Sequence, residues 1–278
     1  MRKTLSILAL LFCSLALHAQ EDRDFSALGS KLEEYVRTLE TETPETRHQE
    51  CDYLIASCKD SLVKQYVSVK LYDLFLHSRM MGAEESAVYI VDRYFSSGEV
   101  KMYNEMDLFA AELFAEYNRS SLLGCRAPSL EMEDSYGAAC NLFASGGTGR
   151  FTVLYFYDTT CTTCKLMTPR LTRLLESRDE DIDVYPVYGG DDYSAWMKYI
   201  AANFASERYH NLWDPSMSSD FQIKYGVLST PKLFLINPDG IIIGRGLDPD
   251  ALSLLLDSWS PAPEDNCDCS AAACSCVE

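Results

Sequence analysis

The chain has 278 residues, which is room for two compact domains. Hydrophobic residues make up 47% of it, so a sizeable core is available and global disorder is excluded. The formal net charge of −18 argues against nucleic acid and anionic membrane surfaces as partners.

Residues 1–20 read as a secretory signal peptide. Arg2 and Lys3 form a short basic start, Leu5 to Ala16 is almost purely apolar, and cleavage is expected near Ala19 or Gln20. The apolar run is short for a bilayer span, so an uncleaved anchor is the weaker alternative. Export to an oxidising compartment makes disulfides available to the cysteines beyond this segment.

Residues 21–120 read as a helical accessory domain of four to six helices. Phe25, Leu28, Leu32, Tyr35, Val36 and Leu39 recur at three- and four-residue spacing, which lines one helix face. Thr43-Pro44-Glu45 marks a stop and a new start. Gly82 and Gly98 separate the later apolar-periodic segments, as helix ends do. Cys51 and Cys58 lie seven residues apart on one helix, too far to bridge, and read as core thiols.

Residues 121–260 change pattern. Leu130 to Asp134 and Ala139 to Phe143 flank Ser135-Tyr136-Gly137 as a hairpin. Phe151 to Tyr157 is a dense apolar and aromatic run suited to a strand covered on both faces. A helix is expected over Cys164 to Arg178, a strand over Ile182 to Tyr188 and a helix over Tyr193 to Phe204. Lys232 to Ile236 and Ile241 to Ile243 form a second hairpin around Asn237-Pro238-Asp239-Gly240. Pro249 to Trp259 closes the domain. The expected class is α/β, a mixed sheet covered by helices and preceded by the all-α region. Cys125 and Cys140 flank the first hairpin and could bond or simply be buried.

The chemistry is carried by Cys161-Thr162-Thr163-Cys164, placed between a core strand and a helix start. Disulfide exchange needs a thiolate, and a free cysteine with pKa near ~8.5 is mostly protonated at neutral pH. Unpaired N–H groups at a helix start favour an anion there. Cys161 is therefore expected to be exposed and attacking, and Cys164, one turn deeper, to be the resolving thiol. The bland alternatives are a static disulfide or half of a zinc site, which needs two further ligands.

These residues resemble the thioredoxin superfamily, specifically its periplasmic TlpA/ResA-like branch, over about half the chain. Ala127-Pro128-Ser129-Leu130, Leu154-Tyr155-Phe156-Tyr157 before the cysteines, Pro169 five residues after Cys164, Thr230-Pro231-Lys232-Leu233-Phe234 and Asn237-Pro238-Asp239-Gly240 occur in that branch's order. The resemblance implies a thioredoxin-like fold and a redox-active Cys161–Cys164 disulfide with no other cofactor. It implies a cis Thr230–Pro231 bond facing the cysteines, with the backbone of Thr230 pairing to an extended client strand. Implied partners are client proteins with disulfides or thiols and a membrane-spanning thiol electron donor, in the periplasm of a gram-negative bacterium. The chain also departs from the pattern. Tyr155 stands where many thioredoxins carry a buried aspartate, and Thr160 where a tryptophan precedes the first cysteine.

Residues 261–278 read as a flexible cysteine-rich tail carrying Cys267, Cys269, Cys274 and Cys276. Four thiols in ten residues could chelate Cu(I) or Zn(II), exchange with Cys161, or form incidental disulfides. Competing with the oxidoreductase reading are a metal-handling protein, built on the CxxC pair and this tail, and a redox-inert interaction module.

Overall fold

The computed structural model describes residues 24–178 and 182–258. The expected signal segment and the tail cysteines Cys267, Cys269, Cys274 and Cys276 lie outside the described residues. The chain divides after Leu74 into two compact units.

The first unit holds α1 (Ser26–Thr38), α2 (Pro44–Ala56) and most of α3 (Ser61–Leu76). Thr43 and Pro44 set the start of α2 as the sequence predicts. The Thr43 hydroxyl accepts from the Thr46 N–H, and Pro44 occupies a first-turn position where no N–H is needed. Cys51 and Ile55, four residues apart, are fully buried on one face. The Tyr35 hydroxyl donates to Glu50 across α1 and α2 at 2.5 Å.

The second unit opens with α4 (Ala83–Ile90), a π-helical turn (Val91–Phe95) and α5 (Glu105–Arg119). These helices, which precede residue 120, therefore share a compact unit with the sheet. The sheet comprises β1 (Leu130–Asp134), β2 (Ala139–Leu142), β3 (Phe151–Tyr157), β4 (Ile182–Tyr188), β5 (Leu212–Trp213), β6 (Lys232–Ile236) and β7 (Ile242–Arg245). Its order is β2-β1-β5-β4-β3-β6-β7. β3 is central, parallel to β4 and antiparallel to β6. Between the strands run α6 (Thr162–Glu176), α7 (Tyr193–Asn203), the short α8 (Phe221–Lys224) and, last, α9 (Pro249–Ser258).

The alternation of β3 explains its composition. Val153, Tyr155 and Tyr157 pack on one face with Cys164, Leu171 and Leu175 of α6, Trp196 of α7 and Leu252 of α9. Leu154 and Phe156 pack on the other with Phe221, Tyr225, Phe234 and Ile236. Both faces are covered, so six consecutive residues from Thr152 to Tyr157 are buried. Pro186 is tolerated in β4 because pairing toward β5 lapses there, between the Val184–Tyr209 bridge and the Val187–Leu212 pair.

The turn Asn237-Pro238-Asp239-Gly240 forms as read. The Asn237 side chain accepts from the Asp239 and Ile241 N–H groups, and Gly240 adopts φ +83, which glycine tolerates. Two elements escape the sequence reading, β5 with two residues and α8 with four. Both are too short to generate a period.

Candidate active site

β3 ends at Tyr157, and the chain turns through Asp158-Thr159-Thr160 into α6. The Asp158 carboxylate accepts from the Thr160 N–H at 2.6 Å and from the Thr160 hydroxyl, which tightens this turn. Cys161 then sits at the N-cap of α6 with extended backbone, and its sulfur accepts from the Cys164 N–H at 3.0 Å. A sulfur thus takes the place of the usual oxygen cap, at the positive end of a helix whose first turn carries no acidic residue.

Cys161 and Cys164 are joined by a disulfide with Cα atoms 5.2 Å apart, within the ordinary range for such bonds. Cys161 is half-buried and Cys164 fully buried. A reagent arriving from solvent therefore meets Cys161 first. Pro169 lies inside α6 and, having no N–H, cannot donate to the Lys165 carbonyl one turn earlier. Cys164, Met167, Thr168, Leu171 and Leu175 form its buried stripe.

The opposite wall is the loop before β6. The Thr230–Pro231 peptide is cis, as the resemblance implies. The Thr230 carbonyl oxygen lies 3.2 Å from the Cys161 sulfur, placed to accept an S–H there once the disulfide is opened. Two opposed influences act on this sulfur. The Cys164 N–H favours the anion, and the Thr230 carbonyl favours the thiol.

Below the cysteines the core presents hydroxyls. Tyr155 is fully buried and shares a hydrogen bond with Thr168, which also accepts from Tyr199. Burial raises the Tyr155 phenol well above its usual value, only partly offset by the Thr168 bond, so it holds its proton at neutral pH. Tyr155 therefore cannot serve as the base an aspartate supplies at this position. Tyr155→Phe is expected to cost about 1 kcal/mol of stability through the lost hydrogen bond. It should leave the pH profile of disulfide exchange unmoved, as rate measurements between pH 6 and 9 would reveal.

Among the described residues, Cys51, Cys58, Cys125 and Cys140 are in no disulfide. Cys125 and Cys140 are not bonded to each other, and both are half-buried. Burial pushes the Cys51 thiol up to about 12 and raises those of Cys58 and Cys140. After mild reduction, iodoacetamide at pH 7.5 is expected to label Cys161 first and to leave Cys51 unmodified until the chain unfolds. Peptide mapping by mass spectrometry reads that order. Early labelling of Cys51 would contradict it.

Residues 123–245 match the family model described as the AhpC/TSA family. No curated protein matches the chain. A thioredoxin-like protein from Bacteroides caccae superposes with a TM-score of 0.60 at 15% identity, covering 78% of this chain and 76% of its own. The sheet and the helices that cover it have a thioredoxin-like fold. Two further solved structures align with about half of the chain. One is a domain of a possible thiol-disulfide isomerase from Cytophaga hutchinsonii, 29% identical, covering 49% of this chain and 91% of that one, with a TM-score of 0.44. The other is a thiol-disulfide oxidoreductase from Bacteroides fragilis, 22% identical, covering 48% and 97%, with a TM-score of 0.42. Within the thioredoxin-like domain, the structure places Cys161, Cys164, Thr230 and Pro231 beside one another. What sequence reasoning missed is a polar cluster on the opposite face of the sheet. There Lys232, Arg245 and Asn118 meet. The available signal was a lone cation in each of two strand-forming runs.

Proposed function

We propose that the chain is a periplasmic thiol–disulfide oxidoreductase acting on protein disulfides through Cys161 and Cys164. The observation that carries this reading is one sulfur at a helix N-cap, reachable from solvent, bonded to a buried partner and faced by a cis-proline loop.

In the reducing direction the Cys161 thiolate attacks one sulfur of a client disulfide. A mixed disulfide forms and the client's other sulfur leaves as a thiolate. Cys164, once deprotonated, attacks the Cys161 sulfur and closes the Cys161–Cys164 bond, and the client's second thiolate leaves. Two electrons pass to the client, which takes up two protons. The backbone of Thr230, beside Cys161, pairs with the client as an added strand. A membrane-spanning thiol donor returns the pair to the dithiol.

The test is equilibration of the exported chain with glutathione, together with insulin-disulfide reduction. A strongly reducing couple and turnover of insulin are the expected results. A potential near that of a strong oxidant would reverse the direction of transfer, and absence of any exchange would remove the proposal.

A further inference from the structure

The residue after the cis proline is a lysine, and its side chain turns back on the loop that carries the proline. The Lys232 Nζ donates to the Gly226 carbonyl at 2.6 Å, closing residues 226–231 at their base. The same carbonyl accepts from the Leu228 N–H at 3.1 Å, and the Val227 N–H donates to Gln222 at 2.9 Å. Gly226 adopts φ +59 and lies against the end of α5. A side-chain carbon there would meet the Tyr117 carbonyl at 2.7 Å, the Asn118 amide oxygen at 2.9 Å and Lys232 Nζ at 3.2 Å. The lysine is thus held close to the carbonyl end of α5.

The cluster extends outward. Arg245 of β7 is buried and donates to the Asn118 and Ser121 carbonyls at 3.3 and 2.8 Å and to the Asn118 side chain. Glu84 of α4 lies 3.5 Å from its guanidinium. The charged groups facing Lys232 are Arg245 and Glu84. Burial, reinforced by Arg245 and opposed by Glu84, brings the Lys232 ammonium down to about 7.

We propose that Lys232 is a positioning residue for thiol exchange, closing the 226–231 loop at its base so that the Thr230 carbonyl is held at the Cys161 sulfur. This rests on the thiol-exchange reading above. Lys232 lies on the face of the sheet away from Cys164, pairing with Phe156 across β3, so it touches neither sulfur and acts only through the loop.

The geometry predicts a pair of opposite effects. In Lys232→Met the loop loses its pin. Exchange with a protein disulfide, which needs Thr230 aligned, should fall about tenfold, the scale of a small misplacement. Alkylation of reduced Cys161 by iodoacetamide needs no pairing. Its pH midpoint should move down, because the carbonyl that favours the thiol is no longer held. Lys232→Gln is also uncharged but keeps a donor, and should restore both values toward those of the parent. A general loss of structure would abolish exchange and move the alkylation midpoint up to that of a free thiol, near ~8.5, and a pure charge effect would make Met and Gln equal. Either result, or Met behaving as the parent, overturns the proposal.

Hydrogen exchange on the unaltered chain gives a reading that depends on no variant. Val227 and Leu228 amides should exchange far more slowly than in a free chain, and unprotected exchange overturns the proposal. Parent protein that alkylates at Cys161 but turns over no disulfide would sink the functional reading, leaving the loop measurement to be judged separately.

Discussion

Cys164→Ser is expected to accumulate covalently bound clients through Cys161, visible as bands on non-reducing gels that collapse with dithiothreitol. Cys161→Ser should show none and should reduce insulin no faster than buffer. The asymmetry follows from burial. Cys164 is fully buried in the core beside Tyr155 and Leu171, so a client cannot reach it, whereas Cys161 faces outward from the helix cap. Removing the buried sulfur leaves the first step intact and abolishes the second. Equal trapping by both variants would mean that both sulfurs are open to clients, and the roles assigned from the helix start would be wrong.

Arg245→Met is expected to lower the stability of the second unit by about 3–5 kcal/mol, the usual cost of deleting one partner of a buried ionic cluster. Arg245 is 3% exposed, and its guanidinium joins β7 to the end of α5. Without it the Asn118 and Ser121 carbonyls each lose one donor and Glu84 loses its ion-pair partner. Urea denaturation followed by tryptophan fluorescence reads the loss. Arg170→Met is the comparison, because its partner Asp250 is 81% exposed, and less than about 1 kcal/mol is expected there. Equal effects at the two sites would show that water reaches Arg245.

Much of the site was legible because each part carries a local signal. The strand–CxxC–helix order locates the sulfurs, the apolar run 151–157 announces a strand covered on both faces, and Thr230-Pro231 marks the facing loop. The order of contacts across the sheet is less legible. That Lys232 is pinned to Gly226 depends on α5 meeting the loop before β6, a pairing of segments about a hundred residues apart that no periodicity encodes. Tyr155 was recognised as a departure from the usual aspartate. Its bond to Thr168 was not, because that bond depends on which helix covers β3. The two-residue β5 and the π-turn at Val91–Phe95 are set by tertiary packing rather than by propensity.

The pairing of α6 with α9 has a practical corollary. Arg170 meets Asp250 and Arg178 meets Ser253 and Asp257, so the two helices run side by side in the same direction. The described chain therefore leaves α9 at the pole opposite Cys161, a separation of about 22 Å for a fifteen-residue helix. A dye or surface linker attached at Ser258 would hold the second unit at the end of α6 remote from Cys161, well clear of the sulfur.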